Sequence, residues 1–98
     1  MRLVQILLPV ASTAVSRTGF EAVVQKLTDE FGGVTAYLNS PADGLWRDDG
    51  STERDHTVTI EVMVDDFEKM WWRRYREQLE ADFHQEEVVV RVLDAMRV

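Results

Sequence analysis

Two kinds of hydrophobic periodicity alternate along the chain. Residues 2–8 are apolar at almost every position, which is typical of a central strand covered on both faces. Residues 56–64 place valine or isoleucine at every even position from 58 to 64, with Thr57, Thr59, Glu61 and Met63 on the other face, which predicts a strand. Residues 87–93 form a β-branched run, which predicts another. Residues 34–38 predict another strand, which a cluster of turn formers interrupts before it resumes near Trp46.

Two other segments repeat their apolar residues at spacings of three and four, which predicts amphipathic helices. The first helix is expected to begin with Ser16 as its N-cap and to end at Gly32. Its apolar stripe consists of Phe20, Val23, Val24, Leu27 and Phe31. The second helix is expected to be capped by Asp65 or Asp66, with Trp72 at the margin of the stripe. That stripe consists of Phe67, Met70, Trp71, Tyr75, Leu79 and Phe83.

The resulting order is strand, helix, strand, strand, helix, strand. It predicts an α+β fold of one domain over residues 1–98, the ferredoxin-like βαββαβ two-layer sandwich. The dipeptide Asp49-Gly50 suits the tight turn of the hairpin between the second and third strands. Right-handed crossovers give an antiparallel sheet in the order 4-1-3-2, with both helices on one face.

The other face of such a sheet is uncovered, and we call it the open face. If the even-numbered residues of strands one, three and four face the helices, the open face carries the odd-numbered ones. These are Leu3, Gln5, Leu7, Thr57, Thr59, Glu61, Met63, Val89, Arg91 and Leu93. Five of the ten are bulky and apolar, which is unusual on a monomer, so we expect a second copy to cover them in a homodimer.

Gln5, Glu61 and Arg91 are predicted to form one polar row across the open face, because their strands are neighbours in the expected order. One interpretation is a hydrogen-bonded ion pair that fixes the register of the dimer. The other is the polar end of a small-molecule pocket, with Glu61 as acid or base and Arg91 binding an anionic group. The sequence does not distinguish between these two interpretations.

The remaining candidates for chemistry are weaker. His56 could act as a general base if Trp46 and Glu53 line a pocket beside the hairpin. The main expectation for Trp46 is that its indole covers the edge of the core rather than binding a ligand. His84 falls at the end of the second helix, where capping is a more common role for histidine than metal ligation. The chain has no cysteine, and we expect no metal site.

The composition of the chain excludes some classes of binding partner. The chain has 98 residues and a formal charge of −7, which argues against binding to nucleic acid or to an anionic membrane surface. Most of that negative charge lies in residues 41–66, with eight acidic and two basic residues.

The apolar run near the N-terminus is too short for a signal peptide, so a cytoplasmic location is expected. The sequence contains no phosphate-binding glycine loop, no nucleophile elbow, no HExxH motif and no Ca²⁺-loop spacing, and no cofactor is expected.

The sequence also resembles a group of small bacterial proteins of ferredoxin-like organisation, for which no activity is established. The resemblance rests on FGGVTAY (residues 31–37), GLW (44–46), EVMVDD (61–66) and WWRRYREQLEADFHQEEVVVR (71–91). It implies no catalytic residue. By architecture alone, the chain is also similar to dimeric α+β barrel proteins, some of which are cofactor-independent enzymes.

These observations predict a cytoplasmic, homodimeric accessory or interaction protein of ferredoxin-like fold. The alternative is a small cofactor-independent enzyme or small-molecule-binding protein that uses Glu61 or His56 as base and Arg91 for an anion, with Trp46 as a wall.

Overall fold

A computed structural model describes residues 1–9, 14–48 and 51–98, and the side chains of residues 1–9, 17–37 and 57–98. The elements are the strands β1 (Arg2–Pro9), β2 (Thr35–Asp48), β3 (Ser51–Val64) and β4 (Val89–Asp94) and the helices α1 (Ala14–Phe31) and α2 (Lys69–Asp82). The strand order is β2-β3-β1-β4, and all three pairings are antiparallel. The predicted ferredoxin-like fold is therefore confirmed.

The core lies between the sheet and the two helices. The even-numbered residues Val4, Ile6 and Leu8 of β1 are fully buried, and Ile60 and Val62 of β3 pack beside them. The helices contribute the buried residues Val23, Leu27, Trp72, Tyr75 and Leu79. The predicted parity of the sheet is thus confirmed, because the even-numbered side chains of the central strands form the core.

α1 ends as the sequence predicts. Gly32 has a φ of +83°, which an L side chain rarely adopts, and its backbone N–H donates to the carbonyl of Thr28 at 2.8 Å. The predicted start is wrong, since Ser16 lies inside the first turn of α1 rather than before it.

The start of α2 also differs from the prediction, because Glu68 rather than Asp65 or Asp66 precedes the helix, and it forms no side-chain capping bond. Phe67 and Trp72 stack at 6.5 Å between ring centroids. These two positions, just before the cap and in the first turn, are those of a hydrophobic staple. Apolar contact rather than an aspartate cap therefore fixes where α2 begins.

The burial of Trp72 also differs from the prediction, which placed this residue at the margin of the apolar stripe of α2. It is 3% exposed, whereas Trp71 is only partly buried and Met70 is exposed. Phe31, at the end of α1, stacks on Trp72 with centroids 5.2 Å apart and planes 12° apart. The buried stripe is therefore Trp72, Tyr75 and Leu79, which fits helical spacing as well as the predicted stripe through Trp71 does.

The β2–β3 hairpin extends beyond the rest of the sheet. β1 pairs with β3 only as far as Pro9 and Thr57. Among the described strands, β2 is then the only partner of residues 51–56. This two-stranded arm is the kind of element that is marginally stable alone in water.

Candidate functional site

Three cross-strand rows of side chains cover the open face, because the register aligns β1 with both of its neighbours. Two rows are mainly apolar: one consists of Leu93, Leu3 and Met63, and the other of Val89, Leu7 and Thr59. Between them lies a row of Arg91, Gln5 and Glu61, which continues to Thr35 on β2. The structure thus brings the three predicted polar residues together on adjacent strands.

Hydrogen bonds connect this polar row. The amide nitrogen of Gln5 donates to Glu61 Oε2 at 2.7 Å, and Arg91 Nε donates to Gln5 Oε1 at 2.9 Å. Gln5 therefore bridges an acid on β3 and a base on β4, using its donor on one side and its acceptor on the other. The two ends of the row carry opposite charges, with the carboxylate of Glu61 at one end and the guanidinium of Arg91 at the other.

Tyr37 belongs to the same cluster, and the sequence did not predict it. Its hydroxyl donates to Glu61 Oε1 at 2.8 Å, so both carboxylate oxygens of Glu61 accept a hydrogen bond. Tyr37 faces Thr59 across β2 and β3, on the open face. The register changes between Tyr37 and Ala42, where β2 contains three more residues than β3. Counted back from the hairpin turn without that bulge, Tyr37 would lie opposite Val62 and face the helices.

The hydrogen bond to Glu61, together with the charge of its carboxylate, raises the pKa of Tyr37 above its ordinary value of 10.0. Glu61→Gln removes that charge, so we expect it to return the pKa of Tyr37 toward 10.0. Ultraviolet absorbance during a pH titration measures this shift. Tyr75 is an internal reference, because burial, followed by the charge of Asp82, raises its pKa to about 12.

The raised pKa of Tyr37 also determines how the free energy of unfolding changes with pH. A raised tyrosine pKa favours the folded state below pH 10, and that contribution is lost as the pH rises through the folded-state pKa. The Glu61→Gln variant should therefore lose less stability than the wild type above pH 10. An unchanged titration curve would mean that the bond between Tyr37 and Glu61 does not form in solution.

The apolar residues on either side of the polar row are unusually accessible. Met63 is 47% exposed, and Val89 and Leu93 are each 44% exposed. Leu3 and Leu7 are partly buried between them. A flat surface that combines bulky apolar side chains with one hydrogen-bonded polar row resembles the centre of a protein interface more than an ordinary solvated face.

An open cavity of about 730 Å³ lies at one end of this face, beside the loop after α1. Glu61, Met63, Leu3 and Arg97 are among its lining residues, whereas Gln5 and Arg91 are not. Only the acidic end of the polar row therefore reaches the cavity. Its volume is within the usual range of small-molecule sites.

The other predicted site residues are placed apart from this cluster. His56 pairs with Asp43, and Trp46 pairs with Glu53, on the two-stranded arm. The side chains of His56 and Trp46 are outside the described residues, and so is the pocket expected between them. His84 follows α2 with a φ of 53°. Within the described ranges, no group of three His, Asp or Glu side chains could hold a metal ion.

No helix in the described part of the chain is long and apolar enough to cross a membrane. No protein-family model matches the sequence. No curated protein gives a significant match to it.

Solved structures do match. A point variant of CutA1 from Pyrococcus horikoshii shares 16% sequence identity with a TM-score of 0.62, covering 100% of this chain and 86% of that chain. The divalent cation tolerance protein CutA1 from Thermus thermophilus shares 18% identity with a TM-score of 0.60, covering 100% of this chain and 87% of that one. A phage SAM lyase in its apo state shares 14% identity with a TM-score of 0.61, covering 94% of this chain and 78% of that one.

At these identities the likeness is one of fold alone, and it joins proteins with different names and activities. The chain therefore has the ferredoxin-like fold of CutA1 and of the phage lyase.

Proposed function

We propose that this chain is a self-associating accessory protein of the cytoplasm, whose open face is covered by a second copy in a homodimer. The observation that carries the proposal is the half-exposed apolar surface of Met63, Val89 and Leu93 around one polar row. Burying such side chains is favourable by roughly 25 cal/mol per Å² of apolar surface. A second copy presents the same apolar rows and so offers a matching surface.

The total surface area supports this proposal. The chain exposes 7147 Å². A compact monomer of 11.3 kDa is expected to expose only about 5,700 Å². The excess is larger than the roughly 800 Å² that a standard interface removes from each partner. Among the described side chains, those of the open face and of the C-terminal residues Met96 and Val98 add surface without adding core.

Sedimentation velocity over a concentration series tests the proposal on the wild-type chain. We expect the fitted mass to be twice the 11.3 kDa of one chain at micromolar concentration. A mass of 11.3 kDa at every concentration would contradict self-association.

A second candidate function is the binding of a small molecule in the cavity beside Glu61. The observation that favours it is the position of Glu61 and Arg97 in the lining of an open, partly apolar cavity. SAM is a reasonable first probe, because a phage SAM lyase shares the fold. Heat released on titration of SAM into the wild type, but not into Glu61→Gln, would favour this function over the accessory one.

A further inference from the structure

The two charged ends of the polar row lack oppositely charged partners among the described residues. Arg91 uses its Nε to donate to Gln5, so the outer nitrogens of its guanidinium retain four N–H donors. Glu61 accepts from two neutral groups, Gln5 and Tyr37, and has no described cation within ion-pair distance. Any surface that covers this face must therefore supply an acceptor for Arg91 and a positive charge for Glu61, because buried charges without partners are costly.

We propose that the second copy supplies both, with Arg91 of each copy paired to Glu61 of the other. This inference rests on the proposed function and specifies its geometry. Glu61 and Arg91 flank Gln5 on either side of β1, so they are separated by two strand spacings, about 9–10 Å. A two-fold axis that lies between the two sheets, parallel to β1 and over Gln5, exchanges the two ends of the row.

The apolar rows are compatible with this axis, and the charges select it over the alternative. With the axis parallel to β1, the row of Leu93, Leu3 and Met63 faces its own copy, and Leu93 lies over Met63 of the second copy. An axis along the polar row would instead place Glu61 over Glu61 and Arg91 over Arg91. Like charges facing each other in an interface cost several kcal/mol, so the charge pattern excludes the second arrangement.

The side chains can reach across such an interface. Sheets that pack face to face are about 10 Å apart, a gap that an extended arginine and a glutamate span together. The ends of the Arg91 guanidinium are free to form the two parallel bonds to a carboxylate that arginine favours. The partner copy thus completes a site that one chain holds only in part.

A charge-exchange experiment tests the pairing. Glu61→Arg should place two arginines opposite each other at both ends of the row, and Arg91→Glu should do the same with two carboxylates. We expect each variant alone to self-associate roughly 100-fold more weakly than the wild type. An equimolar mixture of the two variants should recover association, because every facing pair in the mixed dimer is again opposite in charge.

Two controls accompany the mixture. The double variant with Glu61→Arg and Arg91→Glu in one chain should associate with itself as the wild type does. Asp94→Arg, on the same strand but beside Arg2 at 3.2 Å and on the other side of the sheet, should leave association unchanged. Circular dichroism and thermal unfolding of each variant show whether it is folded.

The outcomes separate the two proposals. Association of the mixture that is no tighter than that of the folded single variants would overturn the pairing while leaving the wild-type dimer intact. A wild type that is monomeric throughout would overturn the proposed function itself.

Discussion

Replacing Trp72 with alanine should lower the free energy of unfolding by about 3–5 kcal/mol, whereas the same substitution at Trp71 should cost about 1–2 kcal/mol. Trp72 is 3% exposed and is stacked between Phe31 and Phe67. Its loss would remove the stacked contact through which Phe31, at the end of α1, packs against the start of α2. Trp71 contacts Phe31 and Tyr75 but remains partly exposed, so its removal leaves less of a cavity.

Urea unfolding followed by far-ultraviolet circular dichroism measures both costs, since this signal comes mainly from the backbone of the helices and strands. Measurements at one protein concentration keep the contribution of self-association comparable between variants. Equal costs, or a larger cost at Trp71, would show that α2 is rotated from the position described.

Replacing Met63 with glutamate should weaken self-association by about 100-fold or more, because the new carboxylate would be buried against the apolar row of the second copy. Met63 is 47% exposed on the open face. Met70 provides a matched control, since it is 55% exposed but lies on α2, on the other layer of the fold. Met70→Glu should therefore leave the dissociation constant unchanged.

Sedimentation equilibrium of the two methionine variants beside the wild type gives the three dissociation constants. If Met70→Glu separates the copies and Met63→Glu does not, the helices rather than the sheet form the interface, and the open face would need another occupant.

The sequence predicted the fold well because strand parity depends on short-range alternation. Val58, Ile60 and Val62 alternate with polar residues, and this pattern alone distinguishes the buried face from the open one. The polar row followed from that parity and from the strand order, which fold-level rules restrict strongly. Gln5, Glu61 and Arg91 were therefore predictable as neighbours.

Other features depend on contacts between distant segments, which periodicity does not report. Trp71 and Trp72 both lie at helical spacing from Tyr75 and Leu79, and only stacking by Phe31 and Phe67 determines which indole is buried. Tyr37 reaches Glu61 because of an irregular register in β2, and a turn-rich sequence gives no count of the inserted residues. In both cases the deciding interaction is tertiary.

Isotope-filtered nuclear Overhauser measurements on a mixture of ¹³C-labelled and unlabelled chains would show whether a second copy covers the open face. These measurements detect only contacts between copies. We expect contacts between the methyl groups of Leu93 in one copy and Met63 in the other. Intermolecular contacts that come from α2 residues such as Met70, with none from Leu93 or Met63, would contradict it.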